Sequence, residues 1–170
     1  MITRFHLTLA AILATLAGPA AAVQDPGKQV LTQIAVTVYH ATDGDPTVAG
    51  EMARPVDEET ERLLRAEPHL KFANYRALGR DIQPLYRSYE NWAQPLKPSD
   101  EVLVRFEARS RAENDRIRLG LELWLSRKQI LRTDVRLIDG QPLFVLGPEW
   151  RGGRLIIAIT LADAIKAADG

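Results

Sequence analysis

The segment Arg116–Ser126 constrains this chain most. Ile117, Leu119, Leu121, Leu123 and Leu125 fall on one parity, with Arg118, Gly120, Glu122 and Trp124 on the other. Side chains alternate across a strand, so this order makes one buried face and one mainly polar face. A helix would scatter the five aliphatic residues around its axis, so the strand wins on period. Val102–Arg111 repeats the pattern: Val102, Val104, Phe106 and Ala108 oppose Leu103, Arg105, Glu107 and Arg109. Ile130–Ile138 repeats it again, with Leu131, Thr133, Val135 and Leu137 opposing Arg132, Asp134 and Arg136.

The links between these segments predict hairpins. They are Glu113-Asn114-Asp115, Ser126-Arg127-Lys128 and Asp139-Gly140, the last favouring the positive φ of tight turns. Leu143–Gly147 follows, and Gly147-Pro148 and Gly152-Gly153 bound a loop containing Trp150. Arg154–Leu161 is apolar on both parities, the pattern of a central strand covered on both sides. Short links make neighbouring strands antiparallel, so residues 101–161 read as a meander.

Upstream, Val30–His40 alternates and is rich in β-branched residues, which predicts a strand. Ala41–Pro55 reads as a loop. Asp57 caps a short helix, Glu58–Ala66, with acids in its first turn and Pro68 as its stop. Leu63, Leu64 and Leu70 would dock it on a sheet. Gly79 and Pro84 interrupt the next stretch, so Phe72–Leu78 and Pro84–Trp92 are expected as two irregular strands, with a helical Phe72–Leu78 as the alternative. The expected fold is all-β with one short helix: a single-domain antiparallel meander forming a sandwich or a partly open barrel.

Residues 1–22 carry an address. A basic residue, Arg4, precedes an apolar run from Leu7 to Ala17, and Ala20-Ala21-Ala22 offers small residues for cleavage. This is the pattern of a secretory signal peptide cut after Ala22, leaving 23–170 as one β-rich domain. The run is too short to span a bilayer comfortably, which takes about 20 residues, and no later run is longer. The chain has no cysteine. Extracellular eukaryotic domains often use disulfides, so the reading tilts to a bacterial periplasmic or secreted protein.

Net charge is zero, yet acids dominate Ala41–Leu70 and bases dominate Val102–Ile138. The two halves either neutralise each other or make an asymmetric surface that orients a partner. Acids interrupt the arginines too often for a nucleic-acid surface.

Catalytic signatures are missing. Outside the leader only His40 and His69 remain, in no HExxH or HxH spacing. There is no G-x-S-x-G, no S-x-x-K and no phosphate loop. His40, Asp43 and Asp45 lie close in sequence, but Asp43-Gly44-Asp45 offers too few oxygens in order for calcium and reads as a polar turn. No cofactor or metal is implied. The aromatic residues Trp124, Trp150, Tyr86, Tyr89 and Trp92, with Arg118 and Arg132, are the candidate binding residues. The bland alternative packs Trp124 under a helix or second sheet and folds Trp150 back on its loop. The expected function is a non-catalytic exported domain that binds a protein or envelope component. Carbohydrate binding through the same aromatics is the alternative. A hydrolase using carboxylates of Asp43, Asp45 or Asp57–Glu61 is the third reading.

Overall fold

A computed structural model of the chain describes residues 25–110 and 115–162. Among the described residues, nine strands form two antiparallel sheets packed face to face. They are β1 (Val30–Thr42), β2 (Arg54–Pro55), β3 (Asn74–Tyr86), β4 (Asn91–Ala93), β5 (Val102–Ala108), β6 (Arg116–Leu125), β7 (Lys128–Ile138), β8 (Leu143–Trp150) and β9 (Gly153–Leu161), with one helix, α1 (Glu58–Ala66). The five-stranded sheet runs β2-β3-β1-β9-β8 and the four-stranded sheet β4-β5-β6-β7. The fold is thus the all-β sandwich expected from the alternation.

The buried parity of β6 faces inward as expected: Ile117, Leu119, Leu121 and Leu123 are buried. They meet Val102, Val104 and Phe106 of β5 and, from the other sheet, Ile34, Val36 and Val38 of β1 and Leu155, Ile157 and Ile159 of β9. This is the main core. The second parity of β9 is buried too, because Ile156 packs with Ala41, Leu64, Leu70 and Tyr75 on the far side of the five-stranded sheet. The helix docks there through Leu64, capped by Asp57, whose carboxylate accepts from Thr60 N at 2.8 Å. Leu63 is only half-buried.

Several boundaries differ from the sequence reading. The meander holds for β4 to β7, and then the chain changes sheets at Asp139–Gly140, so β8 and β9 form a hairpin in the other sheet. The expected two irregular strands are one, β3, which passes through both Gly79 and Pro84. A Cβ on Gly79 would collide with the backbone carbonyl of Pro95, so this glycine marks another chain segment crossing close by. Beyond the short pairing with β2 at Arg76 and Ala77, β3 is paired on one side only, where proline's missing N–H is tolerated. Leu78 is an extra residue opposite Val38 and Tyr39, a bulge. Trp150 ends a strand rather than lying in a loop. Asp25 caps a short 3-10 turn, Pro26–Lys28. In the expected loop 41–55, β1 runs on to Thr42, Pro46–Ala49 forms a 3-10 turn, and β2 follows. The signal-peptide expectation and the Glu113-Asn114 link fall outside the described residues.

The β6–β7 turn has an unusual composition. Ser126 and Arg127 both adopt positive φ, 46° and 65°. A two-residue turn with both central residues left-handed matches strand twist, and it normally takes Asn-Gly. Each ordinary side chain there costs about 1–2 kcal/mol. Replacing Ser126-Arg127 by Asn-Gly should therefore stabilise the protein by about 1 kcal/mol, read as a higher urea midpoint at unchanged slope. The Arg127–Asp100 contact at 3.3 Å would be lost, but Arg127 is exposed and such pairs contribute little. An unchanged or lower midpoint would show that the turn is not strained.

Candidate functional site

The outer face of the four-stranded sheet collects most of the candidate residues in cross-strand rows. Trp92, Arg105, Glu122 and Arg132 form one row from β4 to β7. Arg105 is the hub. Its guanidinium donates to Glu90, to Glu122 Oε1 at 3.0 Å and to Glu107 Oε2 at 3.4 Å. Arg105 holds the Glu90 carboxyl below its ordinary range. Glu122 is buried although its parity reads as solvent-facing. The reason is that Arg105, the Trp124 Nε1 donor at 3.1 Å and Arg132 at 3.7 Å surround it.

The next row is Glu107, Gly120 and Asp134. Arg109 lies across Gly120, contacting Glu107 Oε1 at 2.7 Å and Asp134 Oδ1 at 3.3 Å. A Cβ on Gly120 would sit 2.6 Å from Arg109 Nε, so the glycine leaves room for the arginine. Arg105, Arg109, Glu122, Arg132 and Asp134 border a shallow cleft of about 310 Å³ there.

The third row is all arginine. The Arg109 N–H donates to the Arg118 carbonyl at 2.9 Å, and Arg118 lies directly opposite Arg136. Arg118 and Arg136 are exposed, and neither has an ion-pair partner among the described residues. Like charges directly opposite across strands are destabilising.

At the opposite end of the same face, Trp92 and Trp124 form a pair. Their ring centroids are 5.9 Å apart and the planes 58° apart, with Trp92 37% exposed. The remaining aromatics are elsewhere. Tyr86 ends β3 against Val30. Tyr89 donates to Asp25 Oδ2 at 2.7 Å, which lowers the Asp25 pKa. Trp150 is an inter-sheet clamp. Its Nε1 donates to Glu101 Oε1 at 3.1 Å, its ring meets His40 edge-on at 5.6 Å, and Arg151 stacks over it at 4.3 Å. So the structure brings Trp92, Trp124, Arg118 and Arg132 onto one face and leaves Tyr86, Tyr89 and Trp150 off it. Arg136 and Asp134 belong to that face too, as the polar parity of Ile130–Ile138 implies. The register that sets Arg118 against Arg136 depends on an extra residue in β7, Ile130, between the pairs Trp124–Gln129 and Leu123–Leu131; counting back from the β6–β7 turn would put Val135 there instead.

His40, Asp43 and Asp45 do not converge. No group of three metal-ligating side chains occurs among the described residues. Asp43 accepts from Ala73 N at 2.8 Å and Asp45 from Thr47 N at 2.9 Å. Those bonds to Thr47 lower the Asp45 pKa, and the Thr60 bonds lower that of Asp57. Asp43 and Glu149 border a hollow of about 630 Å³ beside Trp150 and Arg154. An apolar hollow of about 560 Å³ lies beside α1, lined by Tyr39, Met52, Val56, Leu63 and Phe144. Sequence reading missed it because Met52 and Phe144 come from distant segments.

No protein-family model matches this chain, and no curated protein or solved structure matches it either.

His40 is fully buried, and its Nε2 lies 3.2 Å from the Trp150 carbonyl, so Nε2 carries the proton and donates. Nδ1 has no hydrogen-bond partner among the described residues. Burial lowers the His40 pKa, because the charged imidazolium is penalised away from water, and the Arg151 charge lowers it further. The unfolded chain then takes up a proton near pH 6.5 that the folded chain refuses. Stability is fully present above that pH and declines as the pH falls below it, until the folded pKa is passed. His40→Gln should remove this part of the pH dependence, measured as the urea midpoint between pH 8 and pH 5 relative to the parent. Parallel curves would mean that His40 titrates normally.

Proposed function

We propose that this chain is an exported, non-catalytic domain that binds an acidic protein component of the cell envelope through the outer face of its four-stranded sheet. The leader-like first 22 residues support the address. The observation that carries the reading is the exposed, opposed pair Arg118 and Arg136. A folded chain that keeps a cross-strand repulsion gains from it only when carboxylates of a partner sit between the two guanidiniums. Exposed Arg109 and Arg132 lie on the same face, and the Trp92–Trp124 pair at its other end adds a residue type that dominates binding hot spots.

The tilt of the Trp92–Trp124 pair favours a protein over a sugar, since a glycan stacks best on an open ring face and here the rings meet at 58°. The carbohydrate reading keeps one support, the exposure of Trp92. Titration of cell-wall glycans with tryptophan fluorescence as readout separates the two.

The decisive variant is Arg136→Glu. It replaces repulsion by an ion pair with Arg118 and should stabilise the free protein by about 0.2–1 kcal/mol. It should also lose capture of the partner from solubilised native envelope. A variant that gains stability and loses binding separates a binding role from a folding role. Trp92→Ala should weaken capture with little change in stability. If both variants recover the parent's partners in full, this face does not bind them.

A further inference from the structure

Sheet edges expose unpaired N–H and C=O groups, and proteins shorten, kink or cover them. Among the described residues three of the four edge strands are handled in that way, and the flank of β3 that β2 leaves open is interrupted by Pro84 and crossed by Pro95 at Gly79. β2 is two residues long and ends in Pro55, β4 is three residues long, and β8 carries a register shift between Leu146 and Glu149 around Pro148. The fourth edge, β7, is different. It has eleven residues and no proline, and its one irregularity lies at the turn end, opposite Leu123 and Trp124.

The direction of its free groups follows from the ladder. The Asp139 N–H bonds the Asp115 carbonyl across β6–β7. Antiparallel pairs alternate between bonded and non-bonded, so Leu137, Val135, Thr133 and Leu131 bond β6, while Arg132, Asp134 and Arg136 turn their backbone groups to the open side. The core-facing side chains of β7 are also incompletely covered. Leu131, Thr133 and Val135 are half-exposed, whereas their neighbours Leu119, Leu121 and Leu123 on β6 are buried.

We infer that β7 is the seam of a symmetric dimer, pairing antiparallel with β7 of a second copy of this chain about a two-fold axis at Thr133. Charge complementarity selects both the occupant and the register. Thr133 is the midpoint of Lys128–Ile138, so this axis pairs the regular stretch Leu131–Val135 with itself and leaves the bulge at Ile130 at each end of the seam. It sets Arg132 against Asp134 of the second copy, twice, and these are the residues with free backbone groups. It sets Leu131 against Val135 on the core side, twice, and lays the Arg136 stem along the exposed Ile130. Moving the axis to Arg132 or Asp134 opposes like charges. Charged side chains on an edge ordinarily repel other strands; here the order Arg-x-Asp is its own complement. The result is an eight-stranded sheet with both Trp92–Trp124 pairs on one side. This inference does not depend on the proposed function.

Sedimentation velocity of the purified protein from about 1 to about 100 μM, where modest interfaces associate, tests it. The mass should rise towards that of two chains. Arg132→Asp and Asp134→Arg, each alone, should weaken association at least about tenfold, because each opposes like charges. The double exchange should restore it. Both sites are exposed, and circular dichroism checks that each variant folds. Position 133 provides a second readout in a chain without cysteine. Thr133→Cys should give an oxidised disulfide dimer, because opposed non-bonded residues lie about 4.5 Å apart at Cα, within disulfide reach. Val135→Cys should not. A constant monomer mass, equal association in the single and double exchanges, or cross-linking through position 135 in place of 133 would each overturn the inference.

Discussion

Two sheets share one dry interior, and that sharing dictates the rest of the molecule. Phe106, Leu119 and Leu121 from one layer and Val36, Val38 and Ile157 from the other have no exposed surface or almost none. Burial of that kind contributes roughly 25 cal/mol per Å² of apolar area, enough to fix the parity of every long strand. A slip by one residue would send five aliphatic side chains of β6 to the charged face and the arginines inside. The outer face of the four-stranded sheet is polar because the inner face is not.

Parity also explains how charge is arranged on that outer face. With Arg105 and Glu122 forced outward on adjacent strands, the two meet, and Glu90 and Glu107 close around the arginine. Glu122 ends up buried, held by hydrogen bonds from Arg105 and Trp124. The same register leaves Arg118 and Arg136 facing each other. One half of the face is thus internally satisfied and the other half is not, and the unsatisfied half is where an external anion has most to gain.

The strands of the second half of the chain were legible because period-2 alternation is local. The helix was legible because Asp57, the first-turn acids and Pro68 mark its ends within a few residues. β3 was not, because Gly79 and Pro84 signal turns locally, and only the crossing of Pro95 and the open flank of β3 show why a strand tolerates them. Trp150 illustrates the same limit: its partners, Glu101 and His40, lie far away in the chain. Of the candidate site, parity made legible that the arginines and acids of β5, β6 and β7 share a face; which of them stand opposite each other, and which aromatics join them, was not legible. Trp92 and Trp124 pair because β4 joins the sheet edge beside β5. That Arg136 stands opposite Arg118 was not legible, because the extra residue Ile130 moves the register by one.

The division of the three tryptophans between two environments has an optical consequence. Trp150 is wedged between the layers beneath a stacked guanidinium, so its emission reports whether the sandwich is closed. Trp92 and Trp124 are near enough, and inclined enough, for their electronic transitions to couple, giving a paired band in ultraviolet circular dichroism. The molecule therefore carries one intrinsic chromophore for its interior and another for its exterior, readable side by side in a single unlabelled sample.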